Sequence, residues 1–298
     1  MLQVLSRASF LGLALTAAFT ATAEEPAPAG DKARATETEN APSIVSTGLW
    51  KHQELGRFKA AEAKQAVIAG DRYLYVLSNT AIGKYRKDTH ERVAEWKQPK
   101  GGPLIHLNAG IYHEGKLWCA HSNFPGIPMT SSIEVFDAET LAHTGTHSLG
   151  IAPGSLTWIT RHQGRWYACF AHYSKDKPRT GRDPSWTELV CFDDEWRRTA
   201  GWVFPPGIVE IFGGSSSSGG SISPTGDIFI TGHDAPQLFV LRFPEAGSVL
   251  TWEDTFPIAA EGQAFSWDPA DPALLYSILR RTQEVIISRV EKQAGSPR

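Results

Sequence analysis

From Leu49 onward the chain sets short apolar runs between Gly, Asp and Pro, and no long stretch sustains a helical period. Runs of this length bounded by turn residues predict β-strands. The stretch from His106 to Asn123 shows the plan. His113-Glu114-Gly115 reads as a tight turn between two strands, with glycine supplying the backbone freedom that such a turn uses. Side chains alternate across a strand, so His106 and Asn108 share a face at the start of the first strand. His121 and Asn123 share a face at the end of the second. A hairpin sets the start of one strand beside the end of the next, which predicts that these four polar groups gather at one end. Ile111, Leu117 and Trp118 are expected in the core.

The plan recurs over residues 65–79, 156–172, 219–234 and, more loosely, 263–280. The matched positions Gln65, Asn108, Leu156, Gly219 and Gln263 lie 43, 48, 63 and 44 residues apart. A period in the forties with four strands per unit is the pattern of propeller blades. Residues 132–141, 188–196 and 237–245 supply a third strand, a polar turn and the start of a fourth. The fifth unit ends near Val290 after three strands. Residues 49–58, strand-like and ahead of the first unit, are expected to complete it and cover its open edge. The fold class expected is therefore all-β: a five-bladed β-propeller over residues 48–291, four antiparallel strands per blade, the last blade closed by an N-terminal strand.

The blade units, and phrases such as Val135-Phe-Asp-Ala-Glu-Thr-Leu141, resemble those of secreted bacterial β-propellers, the superfamily that includes gluconolactonase-like and YncE-like proteins. The resemblance spans roughly residues 49–290 and implies the architecture. Gluconolactonase-like enzymes use an acidic and amide metal site in a six-bladed ring. Five units are present here and those ligands have no residue-by-residue match, so none is assigned.

Composition adds a compartment. Arg7 is the sole charge among the first 23 residues, residues 8–19 are apolar, and Ala21-Thr22-Ala23 fits a cleavage site, so residues 1–23 read as a signal peptide. An N-terminal membrane anchor is the alternative, for which the apolar run is short. Residues 24–47, rich in Ala, Pro, Glu and Thr, read as a disordered leader, and residues 292–298 as a disordered tail. The expected location is periplasmic or secreted, with no transmembrane segment in the mature chain. The formal charge is −3, and −4 once Arg7 is removed, which makes nucleic acid a poor partner. Cys119, Cys169 and Cys191 sit in apolar strand contexts and are expected as free buried thiols, a Cys169–Cys191 bridge being the alternative.

Inner strands begin, and second strands end, on one face of a propeller. That face should collect Gln65, His106, Asn108, His121, Asn123, His172, His233, Asp234, Glu261, Gln263 and Arg280, together with two insertions, residues 174–186 and 205–219. Four of the 10 His, namely His106, His121, His172 and His233, occupy blade positions facing this funnel. Imidazoles around an open position are a catalytic metal pattern, so a divalent metal ion is the candidate cofactor. The competing reading is that they cap strand ends and never meet. Glu261, Asp234 and His121 are the candidates for proton transfer. The inner-strand positions carry Gln65, Asn108 and Gln263 in place of carboxylates, which argues against two-acid glycoside cleavage and suits amide binding of a neutral or anionic ligand. Trp186, in the first insertion, is a stacking candidate. Ser215-Ser-Ser-Ser-Gly-Gly220 reads either as an anion nest or, more simply, as a flexible linker. Lys175, Lys177, Arg179 and Arg182 read as a solvated loop. The expected function is metal-assisted hydrolysis of a small polar substrate, lactone or ester-like. The alternative is a non-catalytic propeller that binds a protein or sugar on the same face.

Overall fold

The computed structural model of the protein describes residues 44–151, 153–174 and 181–293. The signal segment, most of the leader, residues 294–298 of the tail, and Lys175, Lys177 and Arg179 lie outside the described residues. Strand β1 (Trp50–Lys59) comes first and belongs to the last blade. The first blade is β2 (Ala66–Ala69), β3 (Tyr73–Ser78), β4 (Ala81–Arg86) and β5 (Arg92–Lys97). The second is β6 (Leu107–His113), β7 (Lys116–Ser122), β8 (Thr130–Asp137) and β9 (His143–Ile151). The third is β10 (Ser155–His162), β11 (Arg165–Ala171), β12 (Glu188–Phe192) and β13 (Arg198–Val203). The fourth is β14 (Gly219–Ile222), β15 (Ile228–Thr231), β16 (Gln237–Arg242) and β17 (Thr251–Pro257). The fifth runs β18 (Ser266–Trp267), β19 (Leu274–Leu279), β20 (Glu284–Lys292) and then β1, antiparallel throughout.

Closure follows from chemistry at both ends of β1. Trp50 packs edge-on to Phe229 at 5.0 Å and stacks on Phe256 at 6.0 Å, both in the fourth blade. Phe58 lies 5.7 Å from Tyr85 of the first blade. Just before the strand, Thr47 donates its N–H and its hydroxyl to the buried Asp254 carboxylate, at 2.7 and 2.6 Å. Neighbouring blades are tied around the ring by at least one polar contact at each junction. Leu107 N–H donates to Asn79 O (2.9 Å) and Asn108 Nδ2 to Leu156 O (2.7 Å). Trp158 Nε1 donates to Ser217 Oγ (2.9 Å), Thr231 Oγ1 to Gln263 O (2.6 Å), and Ala264 N–H to Gln65 O (3.1 Å). Neighbouring inner strands approach so closely at Gly220 that a Cβ there would lie 2.4 Å from the fully buried Trp158 indole.

The opposite face is made of tight turns. Glu114–Gly115 and Gln163–Gly164 each place two successive residues at positive φ, 50° and 72° and then 48° and 75°, the twist that suits a two-residue hairpin. Two features differ from the sequence expectation. Residues 205–219 contain a helix, α1 (Pro206–Phe212), entered through Pro205-Pro206 and ended at Gly213 (φ +60°). It buries Ile208 and Phe212, one turn apart. The serine run after it is no linker: Ser216 and Ser217 are fully buried, and Ser216 bonds Thr187 at 2.7 Å. Among the described residues no helix is long and apolar enough to cross a membrane.

The three cysteines are free and buried. Cys169 faces Leu189 across the sheet and Cys191 faces Tyr167, so the two thiols are not opposite one another. Burial pushes the Cys169 thiol up to about 12 and that of Cys119 further still. A thiol held protonated and dry reacts slowly. Ellman titration of the native, unreduced protein should find almost no reactive thiol over minutes, and three after denaturation. One thiol after denaturation would show a disulfide.

Candidate functional site

A cavity of about 690 Å³ opens where the inner strands begin, and every blade contributes to it. Gln65 and Asn79 come from the first blade, His106 and Asn108 from the second, Thr157 and His172 from the third. The fourth adds Ser215, Ser218 and His233, and the fifth Gln263 and Arg280. Its volume lies within the range of about 300–1,000 Å³ usual for small-molecule sites. The amides are positioned by the ring itself. Gln65 Nε2 donates to Asn79 Oδ1 (2.5 Å), and Gln263 Nε2 donates to His233 O (3.1 Å). Each amide is therefore fixed through one N–H. Phe124, Pro125, Met129, Ile105 and Tyr173 form an apolar wall. Phe124 sits between His106 and Tyr173, with ring centroids 5.3 and 5.2 Å away.

The structure brings Gln65, His106, Asn108, His172, His233, Gln263 and Arg280 to this cavity and places the other expected residues elsewhere. The opening hairpin carries a bulge between Leu107 and Gly110, and His121 pairs with Leu107. Cross-strand partners share a face, so His121 turns away from His106 and Asn108 rather than joining them. Its Nε2 accepts from Ile105 N–H at 3.2 Å and its Nδ1 meets Ser132 Oγ at 2.9 Å. With a backbone donor on Nε2, the ring proton of neutral His121 sits on Nδ1. Ser132 passes the chain on to the buried Glu134 carboxylate at 2.5 Å. Asn123 closes the 123–130 loop, accepting from Thr130 N–H and donating to Pro128 O.

The two expected acids also stand apart from the cavity lining. Glu261 accepts both Arg281 Nε contacts, at 3.0 and 3.1 Å. Asp234 Oδ1 lies 2.6 Å from His233 Nδ1 on an exposed rim. Trp186 is 56% exposed, with the Arg182 guanidinium 4.9 Å above its ring. Among the described residues no three His, Cys, Asp or Glu side chains come together to hold a metal ion, and no carboxylate lines the cavity. The four histidines are therefore not a ligand set: both ring nitrogens of His121 are engaged, and His233 is paired to Asp234.

Electrostatics follow from burial. His106 is pushed down to about 4, mostly by desolvation, with help from His121 and Arg280 and against a hydrogen bond that its ring donates to Asn108. Burial also lowers His172, opposed by its bond to the Pro153 carbonyl, and lowers His121, opposed by Glu134. The imidazole facing the cavity from His106 is thus uncharged at neutral pH. Arg280 is exposed at the mouth, and among the described residues its guanidinium has no hydrogen bond or ion pair. The apolar wall escaped the sequence reading. Its signal was the run Phe124-Pro-Gly-Ile-Pro-Met129, which lies in a loop between second and third strands and so on the funnel face.

Two solved structures are similar in fold. A luciferin-regenerating enzyme is 10% identical with a TM-score of 0.50, over 82% of this chain and 96% of that one. A gluconolactonase from Xanthomonas campestris is 10% identical with a TM-score of 0.46, over 75% of this chain and 70% of that one. The first, at such identity, speaks for the fold alone. No family model matches the chain, and no curated protein matches it in sequence.

Proposed function

We propose that the protein is a non-catalytic binding propeller whose funnel takes up a small polar molecule. The observation that carries this reading is the cavity lining: neutral amides and hydroxyls from all five blades, the imidazoles of His106, His172 and His233, one arginine, an apolar wall, and no carboxylate among the described residues. Fixed amides orient a ligand; they do not activate water. The hydrolase expectation asks for a metal cluster or a general base near the working pH. His106, held down near 4, is a weak proton acceptor. Ser215 and Ser218, the serines of the lining, are held through their backbone N–H groups by Phe212 O and Thr231 O, and among the described residues neither is bonded to a histidine.

The test is thermal-shift screening of the full chain against neutral sugars, sugar acids and small carboxylates, repeated with Ser218→Trp. Ser218 is half-buried at the cavity wall, so an indole there fills the funnel while the blade stays intact. Hits should stabilise the parent by several degrees and leave the plugged, folded variant unmoved. Hits that survive the plug would refute the funnel as the site. Lactones and p-nitrophenyl esters, with or without divalent metal ions, should turn over no faster than in buffer. Turnover abolished by His106→Asn would restore the hydrolase reading.

A further inference from the structure

The funnel is chemically two-sided. The first and fifth blades are neighbours, joined by Ala264 N–H to Gln65 O at 3.1 Å. Together they supply Gln65, Asn79, Gln263 and Arg280. The second and third blades and the link that precedes β6 add the polar His106, Asn108, Thr157 and His172, and they alone supply the apolar Ile105, Phe124, Pro125, Met129 and Tyr173. We propose that the ligand is an amphipathic monocarboxylate, whose anionic head meets Arg280 and the amides of Gln65, Asn79 and Gln263 while its apolar body lies along Phe124, Pro125 and Met129. This rests on the reading that the funnel is a small-molecule site, and it names the class of molecule.

Three observations support it. Among the described residues Arg280 is the one Lys or Arg in the lining and no Asp or Glu joins it there, so a single anionic charge completes it, and a planar carboxylate matches its paired N–H groups. A phosphate, with its higher charge, would call for further cations. His106, buried in the lining and held low by desolvation, adds no second charge at neutral pH. Finally, the opposite wall is a packed aromatic surface, with Phe124 fixed between the His106 and Tyr173 rings. A fully polar ligand such as a sugar would leave that wall unmatched. An apolar body covers it and removes its surface from water.

The experiment is calorimetric titration of the full chain with hexanoate, 4-phenylbutyrate and decanoate, each beside its primary amide. Amide and acid share a body and differ in the charge of the head. At least one acid should bind ten-fold or more tighter than its amide. Arg280→Gln should erase that difference while leaving the amide's affinity as it was. Phe124→Ser should weaken acid and amide alike. If acid and amide bind equally and the Ser218→Trp plug removes both, the funnel reading stands and the carboxylate assignment falls. The carboxylate assignment also falls, and the funnel reading stands, if only a neutral sugar binds in a plug-sensitive way. If nothing binds in a plug-sensitive way, both fall.

Discussion

A chain beginning at Ala60 should lose cooperative folding, whereas one beginning at Ile44 should melt as the parent does. Strand β1 pairs along β20 from Trp50–Lys292 to Lys59–Glu284, broken only near Gly56. Without it, β20 becomes an open edge carrying Val285, Ile286 and Val290, all buried in the intact ring. Trp50 and Phe58, one packed on the fourth blade and the other on the first, leave together. Each is half-buried, so their loss costs about 1–2 kcal/mol apiece from apolar area alone. Asp254, 2% exposed, loses both Thr47 donors and keeps only the Thr255 N–H, a desolvated carboxylate that costs about 1–3 kcal/mol more. Set against a typical domain stability of about 5–15 kcal/mol, these terms and the missing ladder remove most of it. The exposed edge also invites pairing between chains. Circular dichroism melts and size-exclusion chromatography should show a broad transition and aggregation. A peptide spanning residues 44–59, added in trans, should restore a sharp melt. A chain from Ala60 that unfolds sharply within a few degrees of the parent would show that the ring does not need its closing strand.

That strand was legible in the sequence because counting strands reveals it: the fifth unit has three, and a spare strand lies at the other end of the chain. The blades were legible for a related reason. Alternation along a strand and glycine at a tight turn are local properties, and their recurrence every forty or so residues identifies the repeat without long-range information. The site was legible only where that local logic held. Gln65, Asn108 and Gln263 reach the cavity because inner-strand starts do so in every blade. His121 does not, because the bulge at Asn108–Ala109 breaks the register between it and His106. The local trace of the bulge is Gly110, where a Cβ would meet the Trp118 carbonyl at 2.5 Å and Ile68 at 2.8 Å. A glycine in a strand reports close approach but not which way the parity moves. Glu261 is held by Arg281, and Asp234 stands on the exposed rim behind His233, pairings that rotamer choice selects and no pattern of sequence encodes. Helix α1 is seven residues long, too short for a 3.6-residue period to rise above the surrounding turn signals.

Acidification from pH 7 to 4.5 should lower the melting temperature by about 5–10 °C, well before most carboxylates protonate. His52, His106, His121 and His172 all have pKa values below the ordinary 6.5, in each case chiefly because burial disfavours the charged ring. The unfolded chain takes up protons on these rings near 6.5, and the folded chain takes them up only at lower pH. The stability contributed by keeping them neutral is therefore complete above about pH 6.5 and is lost as the pH falls toward 4, the value to which His106 is displaced. One pKa unit corresponds to about 1.4 kcal/mol, so His106 alone, discounted for its open side, contributes about 2 kcal/mol across that window. The acids held low by arginine or by hydrogen bonds, such as Glu54 and Asp137, act in the same direction but only at still lower pH. Melts at pH 7.5, 6.5, 5.5 and 4.5 at fixed ionic strength measure the slope. His106→Asn and His172→Gln should each flatten it, and together they should remove about half of it. A parent whose melting temperature stays within 1–2 °C over the whole range would mean that water reaches these rings and that they titrate as they would in the unfolded chain.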